Sequence, residues 1–438
     1  TALLIPQYQW SAGNGVAANI AADAGIRWNR EEIQWKDVEK SPGVYEIPEE
    51  KMRELRLAKE AGMKVELGLV YSNPACYSSF LNELDVPTTA QEMEAFGNWC
   101  EWMARETRGV VDAFGTWNEV NAGVWNTGND TPEHFAKVME LMYTSVKKGN
   151  PDALILGPET TGIDPAFTEK VFAAGGLNYI DAVSVHYYDT SGHFNTQKLM
   201  DQCKELKALI EKYGEGEKKN TPIWVTEFGF GTVIYTPEEQ ASNFVMAYAL
   251  EQCFDLVDVS FQFRMQDDLL IPQHHESEWG LIRHYTDTGR KNGAKPAYLA
   301  LCAMNNLIGI RADAKDVIQD GTTYAFRFYN NEIGKDVALL MGEYDQNLMT
   351  LDFGTNSVEI YDMYGNKVNT TVSDNGIYSF HVNKVPLYAV GNFKKFEQVS
   401  NENAKIIPVD FENAVLPGDP TTYTFKNMTG RKLKIEAE

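Results

Sequence analysis

Over residues 1–308, short apolar runs alternate with longer stretches in which apolar residues recur at helical spacing. The short runs have the length of buried strands, and helix-start and helix-stop signals bound the longer stretches. A Thr-Pro pair opens the stretches that follow Thr131 and Thr236, and Gly62 ends another stretch. Together with an opening strand over residues 3–8, the pattern predicts eight β/α units, which is typical of a (β/α)8 TIM barrel.

From residue 309 to residue 393 the chain changes to short alternating segments bounded by turn residues. Residues 323–329 and 377–382 are two such segments, and Asn330-Asn331 marks one of the turns. This pattern predicts a C-terminal antiparallel β-sandwich domain that follows the barrel. Residues 394–438 are more polar and complete no obvious unit, so we interpret them as a C-terminal extension or linker of unclear fold.

The charge balance narrows the choice of partners. The 438 residues include 39 basic and 62 acidic side chains, a formal net charge of −23. Nucleic acids and anionic membrane surfaces require basic patches, so we expect neither as a partner. The sequence has no apolar run long enough for a membrane span. Because the chain begins at Thr1, we expect a secreted, periplasmic or cell-surface protein whose signal has been removed, with the cytoplasm as the alternative. The oligomeric state is left open.

Two glutamates stand where barrel strands are predicted to end, which is where the working residues of a TIM barrel lie. Strand four ends at Asn118-Glu119, and strand seven ends at Glu227. One such glutamate alone is usually a helix cap or an ion-pair partner. Two at the same barrel mouth favour a catalytic pair, because two carboxyl groups flanking a glycosidic bond are the minimum machinery for glycoside hydrolysis.

Other polar residues at the predicted strand ends have candidate supporting roles. Arg30 follows strand two and is expected to hold a strand-end carboxylate ionised, with a structural ion pair as the alternative. His186 and Tyr188 follow strand six. For His186 we favour a ligand or catalytic hydrogen-bond role over that of a satisfied core histidine.

Aromatic residues near the strand ends are candidates for a platform under the sugar ring, because aromatic faces stack on its C–H face. Trp279 is the strongest candidate because it lies in the long loop over residues 264–293, whose length suggests a binding loop. His274 and His275 occupy the same loop, but no further ligand spacing accompanies them, so we predict no metal and no cofactor. The full set of candidate aromatic residues is Trp10, Tyr71, Tyr77, Trp125 and Trp279.

The motifs resemble those of a known group of enzymes. Trp117-Asn118-Glu119 resembles the strand-four Asn–Glu of clan A glycoside hydrolases, and residues 224–229 resemble the strand-seven nucleophile motif of that clan. Arg30, followed by Trp35 and Val38-Glu39, is similar to the strand-two stretch of glycoside hydrolase family 39 and its neighbours. Val120 departs from the pattern, since proline often follows the acid/base glutamate. The resemblance spans residues 1–393.

The resemblance implies a retaining β-glycoside hydrolase that acts on a β-linked oligo- or polysaccharide. Glu227 would be the nucleophile and Glu119 the acid/base, while Asn118 would bind the sugar 2-hydroxyl and His186 or Tyr188 would position Glu227. The expected substrate-binding residues are Arg30, Asn118, His186, Tyr188 and Trp279. The alternatives are a transglycosylase with the same residues and a non-catalytic carbohydrate-binding barrel.

Two physical expectations accompany this assignment. Because two close carboxyl groups cannot both ionise cheaply, we expect the pKa of Glu119 to be raised while Arg30 keeps Glu227 charged. We also expect Arg30 to lie at an open barrel mouth, where its replacement leaves the fold intact.

Overall fold

The computed structural model describes residues 2–4, 16–128, 130–267, 277–283, 293–310, 312–344, 347–368, 376–400, 407–408 and 425–426. Residues 5–8 of the predicted opening strand, Trp10, His274 and His275 lie outside the described residues. The chain divides into two compact units, of which the first comprises Thr1–Gln240 with Leu250–Tyr298 and the second comprises Ala241–Ala249 with Leu299–Glu438.

The first unit is built on a closed barrel of eight parallel strands, which confirms the predicted (β/α)8 TIM barrel. In chain order its strands, with a short hairpin of β3 and β4 outside the barrel, are β1 (Ala2–Leu4), β2 (Trp28–Gln34), β3 (Glu39–Ser41), β4 (Val44–Tyr45), β5 (Lys64–Val70), β6 (Ala113–Thr116), β7 (Leu154–Thr160), β8 (Ala182–Tyr188), β9 (Ile223–Gly229) and β10 (Val259–Phe263). The barrel closes because β1 pairs with both β2 and β10.

Helices connect the strands, as the alternating pattern requires. They are α1 (Val16–Asp23), α2 (Trp35–Val38), α3 (Glu49–Glu60), α4 (Ala90–Glu106), α5 (Pro132–Gly149), α6 (Pro165–Ala173), α7 (Thr196–Tyr213), α8 (Pro237–Cys253) and α9 (Pro296–Leu307). Thr89 and Thr236 begin α4 and α8 with complete capping boxes, which satisfy backbone donors of the first turn. None of the helices in the described ranges is both long and apolar enough to cross a membrane.

Apolar side chains form one of the core clusters of the barrel. The cluster contains Ala113, Leu156, Ala182, Trp224 and Phe261. Each of these five residues comes from a different strand. Such a packed core, rather than a pore, is the ordinary content of a TIM barrel. The polar groups described below therefore stand out against an apolar barrel.

The second unit contains two antiparallel sheets that share one core, which confirms the predicted β-sandwich. Four residues of one core cluster show this: Leu340 and Ile360 come from the six-stranded sheet, and Leu351 and Phe380 come from the three-stranded sheet. The sheets have the strand orders β11-β12-β13-β18-β15-β16 and β17-β14-β19, where the strands are β11 (Asp313–Asp320), β12 (Thr323–Asn330), β13 (Lys335–Gly342), β14 (Asn347–Asp352), β15 (Val358–Tyr361), β16 (Lys367–Val368), β17 (Ile377–Val382), β18 (Leu387–Gly391) and β19 (Glu397–Gln398).

The polar C-terminal segment contributes three short strands. β19 pairs with β14 and so belongs to the smaller sheet of the sandwich. β20 (Ile407–Pro408) and β21 (Phe425–Lys426) pair with each other. The part of the segment that the structure describes therefore adds β structure after residue 393.

Candidate active site

A tight turn after β6 carries the first candidate carboxylate. Trp117 and Glu119 have φ values of 69° and 46°, a left-handed backbone that is uncommon for residues other than glycine. Side chains hold this turn: Asn126 Nδ2 donates to the carbonyl of Val120 at 3.1 Å, and Asn121 Oδ1 accepts from the Thr161 amide at 2.8 Å. The unusual backbone is thus fixed by its surroundings, and Glu119 is held in one direction.

One imidazole lies between the two candidate carboxylates. His186 on β8 is fully buried, and its Nδ1 lies 2.9 Å from Glu119 Oε1 and 3.5 Å from Glu227 Oε2. One ligand-type atom from each of the three residues lies within 4.8 Å of the other two. This spacing could also hold a metal ion, but the hydrogen bond between His186 and Glu119 already gives these atoms partners of their own. The structure therefore brings the ends of β6, β8 and β9 together at one point.

Glu227 is held at both of its carboxylate oxygens. Arg30 Nη1 donates to Glu227 Oε1 at 2.7 Å, and Tyr188 Oη donates to Glu227 Oε2 at 2.5 Å. The sequence left open whether His186 or Tyr188 contacts Glu227. Tyr188 makes the direct hydrogen bond, while His186 hydrogen-bonds Glu119 instead.

Arg30 lies in the barrel interior, which contradicts the expectation of an open mouth position. The whole residue is 0% exposed. Its guanidinium contacts three further carboxylates that the sequence analysis missed: Glu32 and Glu159 at 3.2 Å and 2.9 Å from Nη2, and Glu66 at 3.1 Å from Nε. A charged residue inside the otherwise apolar run over residues 65–70 was the signal that could have identified Glu66.

The electrostatics differ from our expectation for Glu119. Burial raises the pKa of this carboxyl, but the hydrogen bond and the positive charge of His186 outweigh it, so the pKa is lowered. The pKa of His186 is raised in turn: burial opposes this, and the Glu227 charge and the Glu119 hydrogen bond overcome it. The expected rise at Glu119 was wrong because the imidazole beside it was not taken into account. Both shifts favour an ionised Glu119 beside a protonated His186.

Tyr188 is held by an aromatic wall. The Trp279 ring packs edge-on against Tyr188 with 5.1 Å between ring centroids, and Trp279 is only 6% exposed. Two glycines make room for the indole, since a Cβ at Gly229 would lie 2.7 Å from Trp279 Cε3 and one at Gly231 would lie 3.0 Å from Cε2. Burial also raises the pKa of Tyr188 well above its usual range, so its hydroxyl remains a donor. Trp279 thus supports Tyr188 and offers little open face for a sugar.

The aromatic candidates Tyr71, Tyr77 and Trp125 have different surroundings. Asn118 Nδ2 donates to the Tyr71 hydroxyl at 3.2 Å, while Asn118 Oδ1 is buried and has no partner within the described part of the chain. Tyr71 stacks on Trp125, which is partly exposed. Tyr77 is buried and donates to Glu39 Oε1 at 2.8 Å, so it supports the β3–β4 hairpin. Among the candidate aromatic residues that the structure describes, Trp125 is therefore the least buried.

Comparison with known proteins assigns the class. Residues 85–260 match the family model described as the glycosyl hydrolase catalytic core, a span that contains both Glu119 and Glu227. The protein is thus a glycosidase. A search of curated proteins finds no significant match.

Solved structures with a similar fold include glycoside hydrolases of families 39 and 30, in agreement with the resemblance to clan A and family 39. A family 39 glycoside hydrolase from Bacteroides cellulosilyticus has a TM-score of 0.77 and 22% identity, over 89% of this chain and 80% of that one. A family 39 β-xylosidase from Caulobacter crescentus has a TM-score of 0.60 and 13% identity, over 89% and 95%. A family 30 endoxylanase from Clostridium papyrosolvens has a TM-score of 0.58 and 14% identity, over 86% and 92%.

Proposed function

We propose that the protein is a retaining β-glycoside hydrolase that cleaves a β-linked oligo- or polysaccharide by double displacement. The observation that carries the proposal is the approach of the two carboxyl groups, since one oxygen of Glu119 and one of Glu227 lie within 4.8 Å of each other. Retaining glycosidases have carboxyl groups about 5–5.5 Å apart, whereas inverting enzymes need about 6.5–9.5 Å to admit a water molecule.

Glu227 is the nucleophile in this proposal. The Arg30 guanidinium lies against its Oε1 and the Tyr188 hydroxyl donates to its Oε2, so both oxygens of the attacking carboxylate are oriented. Attack on the anomeric carbon forms a glycosyl ester and breaks the bond to the leaving oxygen. Ester formation neutralises Glu227 and so removes one of the negative charges that raise the pKa of His186.

Glu119 is the acid and then the base. The proton of the His186–Glu119 pair passes to the leaving oxygen through Glu119, whose oxygen lies 2.9 Å from the imidazole. With Glu227 esterified, Glu119 has one acidic neighbour fewer, and its carboxylate accepts a proton from the incoming water. Asn118 Oδ1, buried and without a partner among the described residues, is suited to accept a hydrogen bond from the sugar 2-hydroxyl.

Hydrolysis of a panel of aryl β-glycosides and β-glucans tests the proposal. The panel begins with β-xylosides and xylan, because two of the similar structures are named as a β-xylosidase and an endoxylanase. NMR of the first product should show a β-anomer, and Glu227→Gln should abolish its formation. Glu251→Gln is the matched control, since Glu251 is a buried glutamate that hydrogen-bonds Ser260 instead of the site. An α-anomer as the first product would refute retention, and sugar transfer to an added acceptor in place of water would identify a transglycosylase.

A further inference from the structure

One layer of the barrel interior is ionic where branched apolar residues are the norm. Arg30 on β2, Glu66 on β5 and Glu159 on β7 are each 0% exposed. Arg30 and Glu66 are directly paired in register. The layer therefore contains two carboxyl groups around one guanidinium, removed from solvent.

The two carboxyl groups converge on a single glycine. A Cβ at Gly115 on β6 would lie 2.2 Å from Glu159 Oε1 and 2.6 Å from Glu66 Oε1. Neither of these buried oxygens has a hydrogen-bond partner among the residues that the structure describes. Both oxygens therefore lie within 2.6 Å of one point, and a side chain larger than that of glycine at position 115 would collide with them.

The charges that face this layer are unbalanced. Glu66 and Glu159 face Arg30, and Glu32, Glu227 and His186 also act on them. Even with Arg30 and His186 both positive, four ionised carboxylates would leave an excess of buried negative charge, which costs several kcal/mol per unpaired ion. One proton between the Oε1 atoms would remove one of these charges and give both oxygens a partner.

We propose that Glu66 and Glu159 share one proton and act together as a positioning pair for Arg30. Glu66 Oε2 forms an ion pair with Nε at 3.1 Å and Glu159 Oε2 accepts a hydrogen bond from Nη2 at 2.9 Å, so the two carboxyl groups flank the guanidinium whose Nη1 donates to Glu227. The pair then carries one negative charge instead of two, so more of the Arg30 charge acts on the nucleophile. Burial also raises the pKa of both carboxyl groups, in agreement with the bound proton. The effect on the nucleophile rests on the proposed function, whereas the shared proton does not.

Infrared difference spectroscopy at neutral pH tests the shared proton without any substrate. The wild type should contain a deuterium-sensitive band of a buried neutral carboxylic acid that is lost in Glu66→Gln and equally in Glu159→Gln, because the remaining glutamate then pairs as an anion with Arg30. Glu251→Gln is the control. Burial raises the pKa of Glu251 to about 8, so this variant should lose the band of the neutral Glu251 carboxyl group and keep the band of the Glu66–Glu159 pair. If a folded single variant kept the carboxylic acid band at its full wild-type intensity, the proposal would be overturned. One folded single variant is sufficient for this test.

The pH dependence of kcat/KM tests the link to the nucleophile. Each single glutamine replaces a carboxyl group but keeps the charge of the pair, whereas Glu66→Gln with Glu159→Gln removes the remaining negative charge. Removal of that charge favours ionised Glu227, so the acidic limb should lie at lower pH in the double variant than in either single variant. A single variant that shifts the limb as far as the double variant would show that both carboxylates were ionised and would overturn the proposal.

Discussion

The imidazole of His186 hydrogen-bonds Glu119 at 2.9 Å and lies 3.5 Å from a carboxylate oxygen of Glu227. One ring therefore connects the two carboxyl groups to which we assign opposite roles. The raised pKa of the buried ring and the lowered pKa of Glu119 favour the proton on the imidazole side of this hydrogen bond. The pH dependence of the protein should reflect this pair and not two independent groups.

His186→Asn should reduce stability in a defined pH window. The lowered pKa of Glu119 contributes stability above its ordinary value of 4.5, which is lost as the pH falls. The raised pKa of His186 contributes stability below its ordinary value of 6.5, which is lost as the pH rises through the folded-state pKa. The difference in unfolding free energy between wild type and variant should therefore be greatest between pH 4.5 and 6.5.

Denaturant unfolding across pH measures this difference. His134→Asn is the control, because His134 forms a partly exposed pair with Asp130 and contacts neither Glu119 nor Glu227. A difference that does not vary with pH would show that the two groups are not coupled.

Glu119→Ala should slow the hydrolysis of a glycoside in proportion to how much its leaving group needs protonation. Glycosides with poor leaving groups should lose about 10²–10⁴-fold in rate, the typical value of general acid–base help, while activated aryl glycosides should lose much less. Steady-state kinetics on a series of leaving groups gives the comparison. Equal losses along the series would mean that Glu119 is not the acid.

Arg30→Met should destabilise the protein strongly, which reverses what the sequence alone led us to expect. The substitution leaves buried carboxylates without their cation, and breaking a buried pair in this way costs about 3–5 kcal/mol. The cost should fall as the pH is lowered, because the pKa values of Glu32, Glu66 and Glu159 are raised and these groups become neutral.

The control for this prediction is Lys59→Met, which breaks a partly exposed ion pair with Asp112 and should cost no more than about 1 kcal/mol. Chemical unfolding of both variants at neutral pH compares them. Similar small losses would mean that Arg30 does not neutralise the interior layer.

Gly229→Ala tests the wall behind Tyr188. The new Cβ would lie 2.7 Å from Trp279 Cε3 and 2.8 Å from the Phe263 carbonyl oxygen, so the indole that packs against Tyr188 has to shift. Overpacking of this kind typically costs about 1–3 kcal/mol, and displacement of Tyr188 should lower kcat. Gly123→Ala is the control, because a Cβ there meets nothing within 4 Å. A Gly229→Ala variant with normal kcat would show that Trp279 does not position Tyr188.

The sequence predicted the architecture because strand and helix periodicities are local signals. It also placed Glu119 and Glu227 at strand ends, since the C-terminal ends of barrel strands share one face. It did not predict that Glu66 and Glu159 contact Arg30, because only the folded barrel brings these side chains of β2, β5 and β7 together. The lowered pKa of Glu119 was missed for a related reason, as it depends on the distance to His186 and not on either residue alone.

Covalent labelling with a 2-deoxy-2-fluoro β-glycoside of the sugar that the panel identifies tests the central claim most directly. The fluorine slows both steps, and an activated leaving group allows the glycosyl ester to accumulate on the nucleophile. Mass spectrometry of peptides should then find one sugar on Glu227, and labelling should fail in Glu227→Gln but persist in Glu251→Gln. A label on any other residue, or turnover of the parent glycoside with no trapped ester under these conditions, would contradict the assignment of Glu227 as the nucleophile.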